Sequence, residues 1–349
     1  MTNKMECLLC CKEAILVEQH YPGYQEPDSF SIYDCANCDT QFSFPRIETK
    51  HIYEMIYKKG ETFSVYNRYH RYKNEVKTKK KPFQYLAKQE EAYWVINETL
   101  KQDVQKKKDL KILECGCGLG YLTYSMYKEG FNIIGLDISQ NAIDEAIKYF
   151  GDIYVCADIF EYAKEHRGEY DRIILTQVIE HVENPVEWIK TLFTMLKNDG
   201  KIILSTENKT IYPKNTIWQT DSPPVHLWWF SEKSFEYIAN KTNTSVHFTD
   251  FSKFVNTKFA IIGEVPYNRH RFDINGEVVN PKRKKKCWKS KIKRISFALD
   301  VYRCVCHVRH NVHYLYYKFW KKLPCVWFSK RRNIMGVIFS NKDMIELNN

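Results

Sequence analysis

Short apolar runs alternate with amphipathic stretches across the middle of the chain. From Lys111 onward the runs KILECG, NIIGLDI, IYVCADI, DRIILTQ and GKIILST have the length of buried strands, and the stretches between them have helical spacing. Two more strand-like runs, TSVHFTDFSKF and NIMGVIFSN, follow near the C-terminus. Alternation of strands with helices of about 10–15 residues predicts an α/β fold in which helices cover both faces of a largely parallel sheet.

The same pattern changes character along the chain and predicts five segments. A single helix is expected over 83–102, where apolar residues recur at helical intervals. The predicted segments are a cysteine-containing module (1–48), a helical or lid segment (49–108), the α/β core (109–265), a basic helical insertion (266–332), and the last core strand with a tail (333–349).

Composition and charge narrow the function classes. Hydrophobic residues make up 44% of the 349 residues, which excludes a disordered chain. No apolar run reaches the length of a membrane span, and the N-terminus lacks the layout of a signal peptide, so we expect a cytoplasmic protein. The net charge is +11, but 282–332 holds 17 Lys and Arg against one acid, so the rest of the chain sums to −5.

The stretch LECGCGLGY holds three glycines at alternate positions after the first predicted strand of the core. A turn of this kind lets the backbone approach a nucleotide at the start of the next helix. The dinucleotide-binding pattern G-x-G-x-x-G requires a further glycine where this chain has Tyr121, and this difference counts against a nicotinamide cofactor.

Five motifs in order, LECGCGLG, GLDIS, CADIF, LTQVIEHVENP and MLKNDGKIILST, resemble those of class I S-adenosylmethionine-dependent methyltransferases. The resemblance implies a Rossmann-like seven-stranded sheet with S-adenosylmethionine at the carboxyl ends of its strands. It implies that Asp137 binds the ribose hydroxyls and that Asp158 and Ile159 contact the adenine. The full set of implied cofactor-binding residues is Glu114, Gly116, Gly118, Gly120, Asp137, Ile138, Asp158, Ile159 and Gln177.

Cys115 and Cys117 lie between these glycines and have two interpretations. A helix N-terminus can lower the pKa of a thiol and produce a nucleophile. A tight turn also requires small side chains, and cysteine is a small hydrophobe. We favour packing.

The segment QVIEHVENP resembles the I/L-E-H-V segment of ubiquinone-biosynthesis O-methyltransferases and of sugar methyltransferases. This resemblance makes Glu180 and His181 candidate catalytic residues, with His181 as a general base for a hydroxyl acceptor. The alternative is that both residues orient a loop or hold the cofactor.

A second segment, PPVHLWWFSEKS, resembles one common in bacterial small-molecule and glycan-modifying methyltransferases. It makes His226 a second candidate base, with Trp228 and Trp229 over the acceptor pocket. The alternative is an aromatic cluster that packs this loop on the sheet. Ser231 is predicted to cap the next helix.

The pairs CLLC and CANC are separated by 24 residues and supply the predicted ligands of a structural zinc ion: Cys7, Cys10, Cys35 and Cys38. Cys11 could replace Cys10. The sequence around the second pair resembles the zinc-ribbon segment that precedes many methyltransferases of sugar and capsule pathways. Zinc modules also precede some ribosomal RNA methyltransferases.

The basic insertion begins as a charge run and continues with amphipathic spacing. This pattern fits a helix at the inner membrane surface, an RNA-binding element, or a solvated helical cap. The sequence therefore predicts S-adenosylmethionine-dependent O-methylation of a small-molecule or glycan acceptor, with two alternatives. One is RNA methylation that uses the zinc module and the insertion, and the other is a non-catalytic scaffold with the same fold.

Overall fold

Twelve β-strands and nine α-helices form the part of the chain that the computed structural model describes, which is residues 3–47, 49–59, 67–212, 216–218, 222–254, 271–279 and 330–342. The strands are β1 (Lys4–Glu6), β2 (Glu13–Pro22), β3 (Ser29–Cys35), β4 (Thr40–Phe44), β5 (Lys111–Cys115), β6 (Asn132–Asp137), β7 (Tyr154–Cys156), β8 (Tyr170–Thr176), β9 (Leu196–Glu207), β10 (Trp228–Trp229), β11 (Thr244–Phe248) and β12 (Ile334–Asn341). The helices are α1 (Lys50–Lys59), α2 (Asn67–Val76), α3 (Pro82–Ala87), α4 (Glu91–Thr99), α5 (Tyr121–Lys128), α6 (Gln140–Phe150), α7 (Ile159–Glu165), α8 (Pro185–Met195) and α9 (Glu232–Thr242).

The predicted seven-stranded sheet is confirmed, with the order β11-β12-β9-β8-β5-β6-β7. Strands β9, β8, β5, β6 and β7 are parallel, and β12 is antiparallel to both β9 and β11. The chain leaves β5 for β6 on one side and returns to β8 on the other. Because the strand order reverses at this point, the carboxyl ends of β5 and β8 are where a sheet of this kind forms its ligand-binding crevice.

Helices cover both faces of this sheet, as the apolar runs predicted. Along β8, Ile173 and Leu175 belong to one buried cluster with Leu192 of α8. Ile174 between them belongs to a second cluster with Met126 of α5. Successive strand residues point to opposite faces, so one apolar run supplies both layers of the core.

The N-terminal segment forms a second, antiparallel sheet with the order β1-β2-β3-β4-β10. Its fifth strand, β10, lies outside the predicted module 1–48, in the loop that follows β9. Trp228 pairs with Phe42 and Trp229 with Gln41. The division into five segments stays a proposal, and the sheet of the first segment is completed by the third.

The single helix predicted over 83–102 is wrong, because the chain divides there into α3, α4 and a 3-10 helix at Leu100–Lys106. Glu90 has extended backbone angles, φ −144° and ψ 150°. Its carboxylate accepts a hydrogen bond from the Tyr72 hydroxyl at 2.7 Å and lies 3.2 Å from Nε of Arg68. These contacts with α2 hold Glu90 at the break between the two helices.

The C-terminal part of the chain is only partly described. The final strand predicted from NIMGVIFSN is confirmed as β12, and α9 begins with the predicted cap, in which Ser231 and Ser234 form a capping box. Of the basic insertion predicted at 266–332, only 271–279 and 330–332 lie within the described residues. Among the described helices, none combines the length and the apolar character that crossing a membrane requires.

Candidate active site

The glycine loop between β5 and α5 depends on left-handed backbone conformations. Gly116, Gly118 and Gly120 have φ of 74°, 49° and 73°. A Cβ on Gly116 would lie 2.5 Å from Cγ2 of Val178, and one on Gly120 would lie 2.7 Å from the ring of Tyr154. Glycine is therefore required at both positions for conformation and for space.

Asp137, at the end of β6, forms a hydrogen bond with the backbone of this loop. Its Oδ2 accepts a hydrogen bond from the backbone N–H of Gly118 at 2.8 Å, and its Oδ1 accepts one from that of Ser139 at 2.9 Å. Burial raises the pKa of this carboxyl, and the two backbone N–H groups oppose that shift. Each carboxylate oxygen has a second lone pair, so two further hydroxyl donors can be accommodated.

Glu114, at the end of β5, is a buried carboxyl beneath the same loop. It accepts a hydrogen bond from the Thr123 hydroxyl in α5. Burial raises the pKa of Glu114 to about 8, and Asp137 adds to the increase while Thr123 opposes it. A cationic ligand placed beside this group would favour its ionised form.

Three further predicted residues lie at the ends of β6 and β7, and they differ in exposure. Ile138 is 73% exposed, which leaves its apolar side chain open to a ligand. Asp158 caps α7, where it accepts hydrogen bonds from the N–H groups of Phe160 and Glu161. Ile159 is buried within the main core cluster.

Gln177 follows β8 with φ of 56°, a left-handed conformation that is costly for a residue with a side chain. Its backbone N–H donates to the Ser205 carbonyl at 2.9 Å. Its Nε2 is buried and has no hydrogen-bond partner within the described part of the chain. A strained backbone and a buried donor together are typical of a ligand-binding position.

Cys115 and Cys117 pack into the fold, as expected for small spacers between the glycines. They are 1% and 7% exposed. Burial raises the pKa of both thiols, and the charges of Glu114 and Asp137 add to the increase. Both groups therefore stay protonated near neutral pH and are poor nucleophiles.

His181 lies in a 3-10 turn at Ile179–His181, immediately beyond β8. Its Nδ1 is 2.7 Å from the carbonyl oxygen of Val225. A carbonyl only accepts hydrogen bonds, so Nδ1 carries the proton, and in the neutral ring Nε2 holds the lone pair. Nε2 lies 3.9 Å from Oε1 of the buried Glu180, and Tyr53 of α1 meets the ring edge-on at 6.3 Å.

His226 lies against His181, with the ring centroids 4.5 Å apart and the rings nearly perpendicular. Burial lowers the pKa of His226 to about 3, so this ring is neutral across the physiological range. One donor atom from each of Glu180, His181 and His226 lies within 4.8 Å of the others. The structure therefore brings the three predicted catalytic residues together at the crevice beside the glycine loop.

The two tryptophans after His226 do not line an acceptor pocket, so that interpretation is wrong and the packing alternative is correct. Trp228 and Trp229 are 1% and 2% exposed. Trp228 packs against Phe42 of the N-terminal sheet and donates its indole N–H to the Val182 carbonyl at 2.7 Å. They attach the histidine-bearing loop to the second sheet.

Sequence reasoning missed two residues close to this site. Tyr53 contacts the ring of His181, and Arg46 donates a hydrogen bond to the Leu227 carbonyl at 3.2 Å. Neither residue belongs to a motif, because both reach the histidines from segments far away in the chain. The only local indication is that Arg46 closely follows the second cysteine pair.

The four predicted zinc ligands form one buried cluster. The Sγ atoms of Cys7 and Cys38 are 3.7 Å apart, those of Cys10 and Cys35 are 3.5 Å apart, and all four lie within 4.8 Å of one another. Tetrahedral zinc with Zn–S bonds of about 2.3 Å places its sulfurs about 3.8 Å apart. The donor set and its spacing therefore fit a zinc ion. The neighbouring Cys11 is exposed and outside this group.

Comparison with known proteins identifies the core. Residues 79–247 match a family model described as a methyltransferase domain. The ubiquinone biosynthesis O-methyltransferase of Rickettsia bellii (strain OSU 85-389) is 36% identical over 120 residues, which cover 33% of this chain and 49% of that protein. The enzyme of the same name from Vibrio parahaemolyticus serotype O3:K6 is 32% identical over 106 residues, or 29% of this chain and 45% of that protein.

The alignments cover about a third of this chain and about half of each relative. The chain spans about half the length of the curated relatives it matches. A S-adenosylmethionine-dependent methyltransferase structure from Archaeoglobus fulgidus aligns with 70% of this chain and 92% of its own, at 16% identity and a TM-score of 0.40. Residues 79–247 are similar to methyltransferase domains, and they include the parallel strands of the seven-stranded sheet.

Proposed function

We propose that the protein transfers a methyl group from S-adenosylmethionine to a hydroxyl oxygen of a small-molecule or glycan acceptor, with His181 as the general base. The observation that carries the proposal is the hydrogen bond from Nδ1 of His181 to the Val225 carbonyl. It fixes the ring and places the lone pair of the neutral imidazole on Nε2, which is the atom that would accept the proton. The relatives named above are O-methyltransferases, which supports an oxygen acceptor.

The cofactor would lie across the carboxyl ends of β5 and β6. In this arrangement Asp137 accepts the two ribose hydroxyls with its remaining lone pairs, and Ile138 covers the adenine with its exposed side chain. Glu114 lies beneath the cationic methionine end, and the glycines allow the backbone to approach. When bound, S-adenosylmethionine supplies an electrophilic methyl group, so the protein mainly has to align the acceptor and exclude water.

Proton removal from the acceptor falls to His181 rather than to His226 in this proposal. Because burial lowers the pKa of His226 to about 3, that ring binds a proton poorly at neutral pH. Glu180, 3.9 Å from Nε2 of His181, would stabilise the imidazolium that forms after proton transfer. His226 would then be a neutral ring that packs against His181 and helps to orient it.

We further propose that Cys7, Cys10, Cys35 and Cys38 hold a structural zinc ion. Their burial and their Sγ spacing support this assignment. A closed site of four thiolates leaves no open coordination position, so the ion would stabilise the fold and take no part in the chemistry.

Replacement of the ribose-binding carboxylate should weaken cofactor binding. Asp137→Ala is expected to raise the dissociation constant of S-adenosylmethionine about 10- to 100-fold, because it removes charge-assisted hydrogen bonds. Isothermal titration calorimetry measures this change. Asp144→Ala, which removes an exposed carboxylate from α6, is the matched control. Equal affinity in Asp137→Ala and wild type would eliminate the proposed cofactor site.

Cofactor binding should release a proton from Glu114. The pKa of this carboxyl is about 8 without ligand, so it is mostly protonated at pH 7, and the cationic cofactor lowers its pKa. Release is therefore expected at pH 7 and should vanish at pH 9, where the free protein is already ionised. Calorimetry in buffers of different ionisation enthalpy counts the protons. The proposal requires that Glu114→Gln abolish the release, and undiminished release from that variant would refute it.

Loss of the proposed base should slow methyl transfer without affecting the cofactor. His181→Gln is expected to lower the rate about 10²–10⁴-fold. The rate is measured with S-adenosylmethionine and the small-molecule fraction of a lysate, and cofactor affinity is measured in parallel. His166→Gln, at the end of α7, is the control. A His181→Gln enzyme that works at the wild-type rate would remove His181 from the mechanism.

Zinc should protect four cysteines from alkylation. The purified protein is expected to contain one zinc ion per chain, and iodoacetamide should modify the exposed Cys11 while sparing Cys7, Cys10, Cys35 and Cys38. Chelation should make these four reactive and leave the buried Cys115 and Cys117 unmodified. Peptide mapping by mass spectrometry reads the result. A zinc-free protein whose four thiols react as fast as Cys11 would rule out the metal site.

A further inference from the structure

We infer that the N-terminal sheet positions the histidine pair of the active site, and that Arg46 is a positioning residue for this pair. The inference rests on the proposed function, because it concerns how His181 is oriented as the base. It assigns the cysteine-containing sheet a role in catalysis rather than in recognition of a separate partner.

Backbone hydrogen bonds at Leu227 connect the turn after β8 to the N-terminal sheet. Its N–H donates to the Glu180 carbonyl at 2.9 Å, and its carbonyl accepts from the Ser43 N–H at 3.1 Å. Leu227 therefore lies between the turn that carries His181 and strand β4 of the N-terminal sheet. Strand β4 therefore supports both histidine-bearing segments through the backbone of Leu227.

Each histidine is tied to the backbone at this junction. Nδ1 of His181 donates to the carbonyl of Val225, and the Ser43 hydroxyl lies 3.4 Å from the carbonyl oxygen of His226. The Trp228 indole donates to Val182, the residue after His181. The orientation of the His181 ring is thus set by a loop that β4 supports.

Arg46 reinforces the junction from the end of β4. Its Nη1 donates to the Leu227 carbonyl, and its guanidinium carbon lies 4.5 Å from the centroid of the Trp228 ring. Burial lowers the pKa of Arg46 to about 10, so the group remains charged at neutral pH. Its hydrogen bond to Leu227 and its ring contact with Trp228 are both with the loop that carries His226.

The four-cysteine site lies at the other end of the same strand. Cys35 ends β3 and pairs with Thr40, the first residue of β4, so the turn that contains Cys38 is closed by the metal ligands themselves. The Thr40 hydroxyl bonds with Ser234 of α9 at 2.7 Å, and Lys209 binds Asp39. A metal ion held by Cys35 and Cys38 would therefore fix the start of the strand that supports His226.

Arg46→Gln and Arg46→Lys test the positioning role. Arg46→Gln is expected to lower the methyl-transfer rate about 10- to 100-fold, as displacement of a reacting group by about 1 Å does. The dissociation constant of S-adenosylmethionine should change less than about twofold, because Arg46 lies outside the proposed cofactor site. Arg46→Lys should recover part of the rate, since an ammonium can still donate to the Leu227 carbonyl. Arg167→Gln, an exposed arginine in the turn after α7, is the control.

Histidine NMR supplies a readout that does not depend on turnover. In zinc-loaded wild type the ¹⁵N shifts of His181, assigned through His181→Gln, should show one tautomer protonated at Nδ1. Arg46→Gln, and separately removal of zinc by a chelator, should shift both ring nitrogens toward a tautomer average. If metal removal unfolds the chain, the Arg46 variants decide the question.

Two outcomes would overturn the inference. One is an unchanged His181 spectrum in Arg46→Gln, and the other is a wild-type rate in that variant. Failure of the proposed function is distinguishable, because a wild type that does not bind S-adenosylmethionine would disprove methyl transfer while the NMR comparison still tests the positioning of His181.

Discussion

The Leu227 peptide, bonded to Glu180 on one side and Ser43 on the other, is the contact on which this architecture depends. It joins the turn beyond the parallel strand β8 to an antiparallel sheet that carries a four-cysteine cluster. Neither sheet alone defines the crevice beside the glycine loop. The histidines lie where the two sheets meet. Loss of a hydrogen-bond partner by a buried backbone group at this junction would lower the stability of the fold.

The proposed cofactor site contains two buried acids. Glu114 and Asp137 share a low-dielectric environment, and burial raises the pKa of both carboxyls. In the proposed complex a cationic methionine end lies over Glu114, and donating hydroxyls approach Asp137. Ligand binding would therefore offset the unfavourable burial of the two carboxylates. The same burial keeps Cys115 and Cys117 protonated. Hence these thiols contribute packing, and His181 is the group that we propose as the base.

Features encoded within a few residues could be predicted from the sequence. The glycines, Asp137 and the Ser231 cap follow from local backbone requirements, and the seven strands follow from apolar runs of suitable length. The break at Glu90 could not be predicted, because its cause is a contact with Tyr72 and Arg68 in another helix.

The pairing of β4 with β10 could not be predicted from the sequence either. Trp228 and Trp229 are aromatic in either a pocket or a core, and only the register with Phe42 and Gln41 distinguishes the two. The four cysteines, in contrast, could be recognised from their spacing, since two such pairs can supply the four ligands of a closed tetrahedral site. Their relation to the histidines depends on tertiary structure.

Methyl transfer itself is the most direct test of this account. The zinc-loaded protein would be incubated with S-adenosylmethionine labelled in its methyl group and with separated small-molecule, glycan and RNA fractions of a lysate. The account predicts label in the small-molecule or glycan fraction, bound through oxygen as an ether or ester, with S-adenosylhomocysteine formed in equal amount. Label confined to RNA, or no transfer to any fraction by a protein that binds the cofactor, would contradict it.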